Sequence, residues 1–252
     1  MSTITEQTLP HLYLLYHELR LERSSYSYVL EADTFERQME LLARIRQSKG
    51  KTLWPEVTFD DGHVSNLEIA LPILQKYRME ARFFVTAGWT ESKPGYMSWA
   101  NLRCLLGAGQ QIGAHGWSHT LLTHCHEDEL RRELDGTRKT LEDRLGVAVD
   151  TMSLPGGRYN QRVLTACRDA GYMQIYTSVP RAEALPLREM VGRLNVLQSM
   201  GLEWMEGLFA GRNSLAGLER RYRRKDAVKS VLGDRLYEKI WAILNRKEAE
   251  AE

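Results

Sequence analysis

Cysteine is scarce in this sequence. Three cysteines, Cys104, Cys125 and Cys167, occur in 252 residues, and no two of them are closely spaced. An odd and sparse set is not typical of a disulfide-stabilised secreted domain, and it favours a reducing compartment. The chain must therefore gain its stability from a hydrophobic core, and a hydrophobic content of 43% over this length is enough to build one.

Long apolar runs are also missing. No stretch reaches the roughly 18 apolar residues that a membrane-spanning helix requires. The N-terminal residues, MSTITEQTLPHLYLLYHEL, lack the basic segment and the long apolar run of a signal peptide. We therefore expect a cytoplasmic protein.

Neither sign of charge is in excess. The 34 Lys and Arg residues balance 33 Asp and Glu residues, which leaves a formal net charge of +1. No overall field favours nucleic acid or an acidic partner, and no nucleic-acid-binding motif is present. We therefore expect no nucleic-acid partner.

The sequence does contain a regular alternation of short apolar runs and amphipathic segments. Apolar runs rich in β-branched and aromatic residues predict strands, and helical periodicity predicts the helices between them. The clearest predicted strands are 12–19, 56–62, 81–88 and the beginning of 111–119, and the clearest predicted helices are 34–47, 65–79, 98–109, 127–146 and 160–170. About six or seven β-then-α units result, which indicates a parallel sheet covered by helices, either open or closed as a barrel.

Polar residues fall where the predicted strands end. Asp60 and Asp61 end one strand, His115 ends another, and the segment 155–157 ends a third. Because the carboxyl ends of parallel strands converge on one face of an α/β fold, we expect these groups to meet in one site.

The residue types at these strand ends suit a metal ion. Two adjacent carboxylates are costly unless a positive charge lies beside them, and a divalent ion can bind one while the other stays free as a base. His115 and His119 are four residues apart. Both rings would face the same ion if the backbone turned helically after the strand. One Asp with two His leaves positions open for water and substrate, as in catalytic sites.

Each pattern also has a plainer interpretation. Asp-Asp-Gly is typical of a turn, and histidines at this spacing occur on solvated helices. The segment Pro155-Gly156-Gly157 could bring backbone amides close to an oxyanion, or it could be a connecting turn. Together, the patterns point to metal-assisted acyl hydrolysis in which Asp60 removes a proton from the attacking water.

Three motifs resemble those of a known family. VTFDDG (57–62), AHGWSH (114–119) and SLPGGRYN (153–160), in this order and at these separations, look like the polysaccharide deacetylases that share the NodB-homology domain, also grouped as carbohydrate esterase family four. The similarity covers roughly 12–198. It implies a distorted (β/α) barrel of about seven units and a divalent metal, often zinc, with cobalt, nickel or manganese in some members.

The resemblance also implies residue roles. Asp60 corresponds to the catalytic base, and Asp61, His115 and His119 correspond to the metal ligands. Ser118 is expected to help shape the loop between the two histidines. The third motif is expected to form one wall of the groove, with a backbone amide of Gly156 or Gly157 facing the oxyanion. The residues of this wall are Pro155, Gly156, Gly157 and Arg158.

The sequence departs from the family pattern in its third motif and near its end. Ser153 and Gly156 stand where many members have an arginine and an aromatic residue. The late aspartate that orients that arginine cannot be placed near 175–182. No histidine follows His126, although the family's general acid is usually a late histidine.

Other residues could compensate for these departures. Arg158 or Arg193 could pair with Asp60. His17 and His63 each lie at a predicted strand end and could donate a proton, or they could be surface or supporting histidines. Without a general acid the rate falls by about two to four orders of magnitude, which does not abolish activity.

The C-terminal part of the sequence has a different character. We predict a barrel domain over 1–198 and a basic helical extension over 199–252, with seven Arg and Lys residues within 212–229 followed by an apolar periodic segment. Such a helix could contact an anionic membrane surface, or it could dock on the barrel with its charges in solvent.

The expected function is removal of N-acetyl groups from the amino sugars of a polysaccharide, an oligosaccharide or a lipid-linked glycan, at the inner membrane surface if the basic segment binds there. Two alternatives stay open. One is a catalytically weak or inactive carbohydrate-binding protein on the same fold, and the other is hydrolysis of an O-acetyl ester or a non-sugar amide.

Overall fold

The computed structural model describes residues 9–232. In chain order the strands are β1 (His11–Tyr16), β2 (Glu18–Arg20), β3 (Val29–Glu31), β4 (Trp54–Phe59), β5 (Ala81–Val85), β6 (Gln111–Ala114), β7 (Thr151–Ser153), β8 (Gln174–Tyr176), β9 (Met190–Val191) and β10 (Arg193–Asn195). The helices are α1 (Ala32–Gln47), α2 (Leu71–Lys76), α3 (Trp99–Gly107), α4 (Glu127–Arg131), α5 (Thr137–Leu145), α6 (Gln161–Asp169), α7 (Leu202–Phe209) and α8 (Leu215–Leu232).

Eight of these strands form one parallel sheet in the order β10-β1-β4-β5-β6-β7-β8-β9. The two outermost strands are consecutive in the chain and are separated by Gly192 alone. Val191 pairs with Tyr176 of β8, and Arg193 pairs with Tyr13 of β1. The segment 190–195 therefore joins both ends of the sheet, and the distorted (β/α) barrel of about seven units that we expected is confirmed.

Strand residues alternate between the inside of the barrel and the layer beneath the helices. Phe84 packs inside with Tyr176 and Val191, whereas its neighbour Phe83 belongs to the larger cluster between sheet and helices. This alternation follows from the two-residue period of a strand. It explains why the neighbours Phe83 and Phe84, which face opposite sides of the sheet, are both apolar, as in strands buried on both sides.

The helices agree with the periodicity of the sequence except in two details. The predicted helix over 65–79 begins with a π-helical turn at Asn66–Ala70 before α2, and Pro72 lies in the first turn of α2, where its missing N–H costs little. The predicted helix over 127–146 is α4 and α5 joined by a π-helical turn at Arg132–Gly136, and it ends at Gly146 with a φ of 70°.

The predicted strand over 12–19 is in fact two strands. β1 ends at Tyr16, and β2 begins at Glu18 and pairs with β3 in a separate two-stranded sheet. His17 lies between them, so it stands at the carboxyl edge of the barrel.

The C-terminal part of the described chain packs on the barrel. Met205 and Leu208 of α7 are buried in the outer core, and Leu215 and Leu218 of α8 pack against it. Among the described residues, no helix is long and apolar enough to cross a membrane. The predicted apolar helix that follows lies mostly outside the described residues, and the division at 198/199 stays a prediction.

Candidate active site

The polar residues at the strand ends meet at the carboxyl edge of the barrel. The backbone N–H of Asp60 donates to Tyr16 at 3.0 Å, and that of His115 donates to Val85 at 2.9 Å. Each residue therefore continues the hydrogen bonding of its strand by one step. The sheet itself fixes where their side chains start, and this is why the strand ends in the sequence predicted the site.

Asp61, His115 and His119 come together as a set of three possible metal ligands. One ligand atom from each lies within 4.8 Å of the others. Asp61 Oδ1 is 3.3 Å from the Nε2 atom of each histidine. His115 is buried, and His119 is 34% exposed at its side chain, so the set is open on the His119 side.

The loop after β6 does not turn helically, which was the condition that we set for the two rings to face one ion. Gly116 and His119 instead have positive φ values of 76° and 61°. These left-handed residues fold the chain back, and the two imidazole rings meet with their centroids 5.0 Å apart. Asp61 also has a positive φ, 74°. Non-glycine residues in this region cost energy and cluster at functional sites.

Glu133 holds this loop in place, and sequence reasoning missed it. Its carboxylate accepts the backbone N–H of Trp117 at 2.7 Å and that of Ser118 at 3.0 Å, and the Ser118 hydroxyl donates to it at 2.6 Å. Ser118 thus shapes the loop through Glu133. The only signal in the sequence was that Glu133 lies beside Leu134 on the apolar stripe of a charged helix.

The protonation of His115 explains why a cation suits the set. Its Nδ1 lies 2.8 Å from the carbonyl oxygen of Ser153, which can only accept, so Nδ1 carries a proton. In the neutral ring, Nε2 then presents a lone pair to Asp61 Oδ1, a buried oxygen with no hydrogen bond within the described structure. Two lone pairs facing each other repel, and a divalent ion between them would satisfy both.

The same arrangement affects the acidity of Asp61. Burial alone would raise the pKa of this carboxyl, but His115 and His119 act in the opposite direction and hold its pKa far below the ordinary value. Asp61 is therefore ionised at any working pH, as a metal ligand must be.

Asp60 is held by Arg193 and Ser153. Its Oδ1 accepts from Nη1 at 2.7 Å, and its Oδ2 accepts from Nη2 at 2.8 Å and from the Ser153 hydroxyl at 2.9 Å. Burial would raise the pKa of Asp60, but the guanidinium of Arg193 outweighs it, and the pKa is lowered. Of the two arginines considered from the sequence, Arg193 is the one whose pairing with Asp60 is confirmed.

Arg193 itself is fully buried inside the barrel. Its Nε donates to the carbonyl of Thr177 at 3.1 Å, and its guanidinium lies 5.1 Å from the centre of the Phe84 ring. The Ser153 hydroxyl also accepts from Nη2 at 2.6 Å. The family resemblance places an arginine at the position of Ser153, whereas the arginine that contacts Asp60 here comes from another strand.

The third-motif loop follows β7 and lies at the rim of the site. Gly156 and Gly157 both have positive φ, 63° and 67°, which glycine adopts without strain. The N–H of Gly157 donates to Leu154 at 2.9 Å. Pro155 and Gly157 are buried, Gly156 is exposed, and Arg158 is half-buried at the end of the loop.

The two candidate proton donors differ in their surroundings. Burial lowers the pKa of His17, and the negative charges of Asp60 and Asp61 partly oppose this shift. Its Nδ1 is buried and has no hydrogen bond within residues 9–232. His63, in contrast, contacts Ser65 through Nδ1 at 2.8 Å and packs edge-on against Tyr96.

Comparison with known proteins gives one consistent result. The family model described as polysaccharide deacetylase matches residues 47–175. Chitin deacetylase 1 of Cryptococcus neoformans is 30% identical over 121 residues, which are 48% of this chain and 24% of that protein. The peptidoglycan-N-acetylglucosamine deacetylase PgdA of Listeria monocytogenes is 32% identical over 108 residues, 42% of this chain and 22% of that protein. The matches span less than half the length of these curated relatives.

A solved structure agrees in fold over a larger share of the chain. The deacetylase PplD of Streptococcus pyogenes, determined in complex with acetate, has a TM-score of 0.71 and covers 80% of this chain and 99% of its own. The two sequences are 19% identical, so this likeness concerns the fold.

Proposed function

Because the chain belongs to the polysaccharide deacetylase family, we propose that it removes N-acetyl groups from the amino-sugar units of a glycan, using a divalent metal ion bound by Asp61, His115 and His119. The observation that carries this proposal is the convergence of three ligand atoms within 4.8 Å beside a buried carboxylate. Matched relatives are named for chitin and for peptidoglycan N-acetylglucosamine, which supports an N-acetylated amino sugar as substrate.

The donor set fits zinc, with cobalt, nickel or manganese as other candidates. Two imidazoles and one carboxylate suit these ions, and they leave coordination positions open. When bound, such an ion supplies a positive charge that polarises the acyl oxygen and makes water more acidic. The remaining steps fall to groups of the chain.

Asp60 is the proposed base. Its pKa is lowered, so it is ionised but only weakly basic, and it can take a proton only from water that has itself become acidic. Arg193 and Ser153 fix the orientation of this carboxylate, whose Oδ2 lies 3.8 Å from His115 Nε2.

The third-motif loop is the proposed wall for the oxyanion. The N–H of Gly157 is committed to Leu154, so the donor falls to the N–H of Gly156. Pro155 fixes the start of the loop, and Arg158 ends it. The exposed position of Gly156 allows a ligand to approach its backbone closely.

His17 is the proposed proton donor to the leaving amine. Burial lowers its pKa, so a proton held there is readily released, and the nearby carboxylates favour its arrival. An amide needs protonation of its leaving group more than an ester does. His17→Gln should therefore reduce N-acetyl hydrolysis by about two to four orders of magnitude and O-acetyl hydrolysis much less.

The proposal is tested by measuring acetate release from N-acetylated oligosaccharides with and without added divalent metal. Metal-dependent release that Asp60→Asn abolishes, and that Asp135→Asn leaves unchanged, would support hydrolysis. Asp135 is a suitable control because it is a surface carboxylate paired with Lys139. Absence of release from any acetylated substrate would favour the carbohydrate-binding alternative, and release from O-acetyl substrates alone would favour an esterase.

Contact of α8 with an anionic membrane surface, which would place the protein at the inner leaflet, is a second proposal. Arg220, Arg221 and Arg224 are exposed, and the Tyr222 hydroxyl lies 3.5 Å from the position that a Cβ at Gly157 would occupy. The basic helix is thus beside the site, where it could bring a lipid-linked glycan to it. Co-sedimentation with anionic but not neutral vesicles, lost in Arg220→Glu/Arg224→Glu, would support this proposal. Equal binding to neutral vesicles would refute it.

A further inference from the structure

A short row of aromatic rings leads from the candidate site to the surface. Tyr28 packs edge-on against His17 with ring centroids 5.4 Å apart, and Tyr26 packs against Tyr28 at 5.6 Å. Tyr26 is 63% exposed, although it belongs to a segment that borders the barrel mouth. These tyrosines lie outside residues 47–175, which the family model matches.

The exposure of Tyr26 is built into the fold. Gln198, which follows β10, donates through its side chain to the Ser24 carbonyl at 2.7 Å and through its backbone to the Ser27 carbonyl at 2.9 Å. The Tyr26 carbonyl also accepts the N–H of Val29 at 3.0 Å. The segment is therefore anchored on both sides of Tyr26, and its ring is held in solvent by a fixed backbone.

The aromatic residues on the other side of the metal ligands are already covered. Trp89 packs beside His119 with centroids 5.2 Å apart, and the Lys93 ammonium lies 3.3 Å from the centre of the Trp89 ring. Within the described part of the chain, the ring of Tyr26 packs against that of Tyr28, and no cation lies over the Tyr26 ring. Tyr26 thus offers a ring face that is available to a ligand.

We propose that Tyr26, supported by Tyr28, forms a stacking subsite for a sugar unit adjacent to the one that is deacetylated. A pyranose ring has an apolar C–H face and polar edges, and a tyrosine ring at the surface matches both, since its face is apolar and its hydroxyl is polar. This inference rests on the proposed function, because that function makes an amino-sugar glycan the ligand.

The test compares oligomers of N-acetylglucosamine of two and of six units. Tyr26→Ala should raise KM for the longer oligomer about tenfold, the effect expected for the loss of one aromatic contact, and should raise KM for the shorter one much less. Tyr26→Phe keeps the ring and should keep most of the length preference. Leu21→Ala is the control, because Leu21 is 83% exposed in the same segment and carries no ring.

Calorimetric binding of the same oligomers separates this inference from the proposed function. A wild-type protein that binds the longer oligomer more tightly, with the difference lost in Tyr26→Ala, supports the subsite even if no acetate is released. Three results would overturn the subsite. They are equal affinity of the wild type for both lengths, equal losses of affinity for both lengths in Tyr26→Ala, and no binding of either oligomer. Deacetylation of short substrates in that case would leave the proposed function standing.

Discussion

Arg193 holds Asp60 through two hydrogen bonds of 2.7 and 2.8 Å, across 133 positions of sequence. Both side chains are almost completely buried. Arg193 begins β10, the strand that joins the ends of the sheet, so closure of the barrel and orientation of the proposed base depend on the same segment. The Ser153 hydroxyl links the two side chains.

Removing the guanidinium should therefore destabilise the fold as well as the site. Arg193→Met leaves the Asp60 carboxylate buried without its partner, and breaking a buried pair in this way costs about 3–5 kcal/mol. Arg193→Lys retains the charge but loses the two parallel hydrogen bonds, so its stability should lie between that of Arg193→Met and the wild type. Urea unfolding of the two variants and the wild type measures these differences in the free energy of unfolding.

A surface pair provides the control for this prediction. Arg37 pairs with Asp33 one helical turn away, and both side chains are more than half exposed. Arg37→Met should change the free energy of unfolding by less than about 1 kcal/mol. Similar losses for Arg193→Met and Arg37→Met would contradict the importance given to the buried pair.

The convergence of the candidate metal ligands was predictable from the sequence because their positions follow from strand ends. Asp61 is the second residue after β4, and His115 is the first residue after β6. Parallel strands place the residues at their carboxyl ends on one edge of the sheet. The alternation of apolar runs and amphipathic segments predicted a parallel sheet covered by helices, and the family resemblance predicted that the sheet is a distorted barrel. The path of the loop to His119 was not predicted, because it depends on the left-handed conformation of Gly116, which the spacing of the residues alone does not reveal.

Long-range partners were harder to predict. Arg193 was one of two arginines that could have paired with Asp60, and only the barrel closure decides between them. Glu133 was missed because an acidic residue on a charged helix is usually solvated. Its burial depends on the packing of the helix against the loop after β6, and neither composition nor periodicity encodes that contact.

Metal binding should stabilise the native protein. An ion that binds only the folded state raises the free energy of unfolding by about 4 kcal/mol at a thousand times its Kd. Chelation with EDTA should lower Tm, and added zinc should restore it in the wild type but not in His119→Ala. His124→Ala, at an exposed position, should respond as the wild type does.

This stabilisation should depend on pH. Burial lowers the pKa of His115, but Asp60 and Asp61 outweigh it, and the pKa is raised above the ordinary value. A proton on His115 therefore competes with the metal near neutral pH, and the zinc-induced rise in Tm should shrink as pH falls from about 8 to about 6. A rise in Tm that stays constant over this range would argue against histidine ligation.

A methyl group at Gly116 should disrupt the loop. A Cβ there would lie 2.9 Å from Glu133 Oε2, and the positive φ of 76° adds strain. Gly146→Ala is the matched control, since Gly146 has a φ of 70° and nothing within 4 Å of the added Cβ. In both variants the left-handed conformation of a residue with a Cβ lowers the free energy of unfolding by about 1–2 kcal/mol. Only Gly116→Ala should also lose zinc affinity in a competition titration with a chromogenic chelator.

Glu133→Gln tests the loop without changing its shape. The substitution keeps the size of the side chain but replaces one acceptor oxygen with a donor, so the three N–H and O–H groups of Trp117 and Ser118 are no longer all satisfied. Residues that orient ligands from outside the metal's immediate contacts typically affect affinity by roughly 10- to 100-fold. We expect zinc affinity to fall by that amount, while Asp60 stays in place. Glu127→Gln, exposed on the same helix, should bind zinc as the wild type does. Equal zinc affinity in Glu133→Gln and the wild type would show that the loop holds His119 in position without the carboxylate.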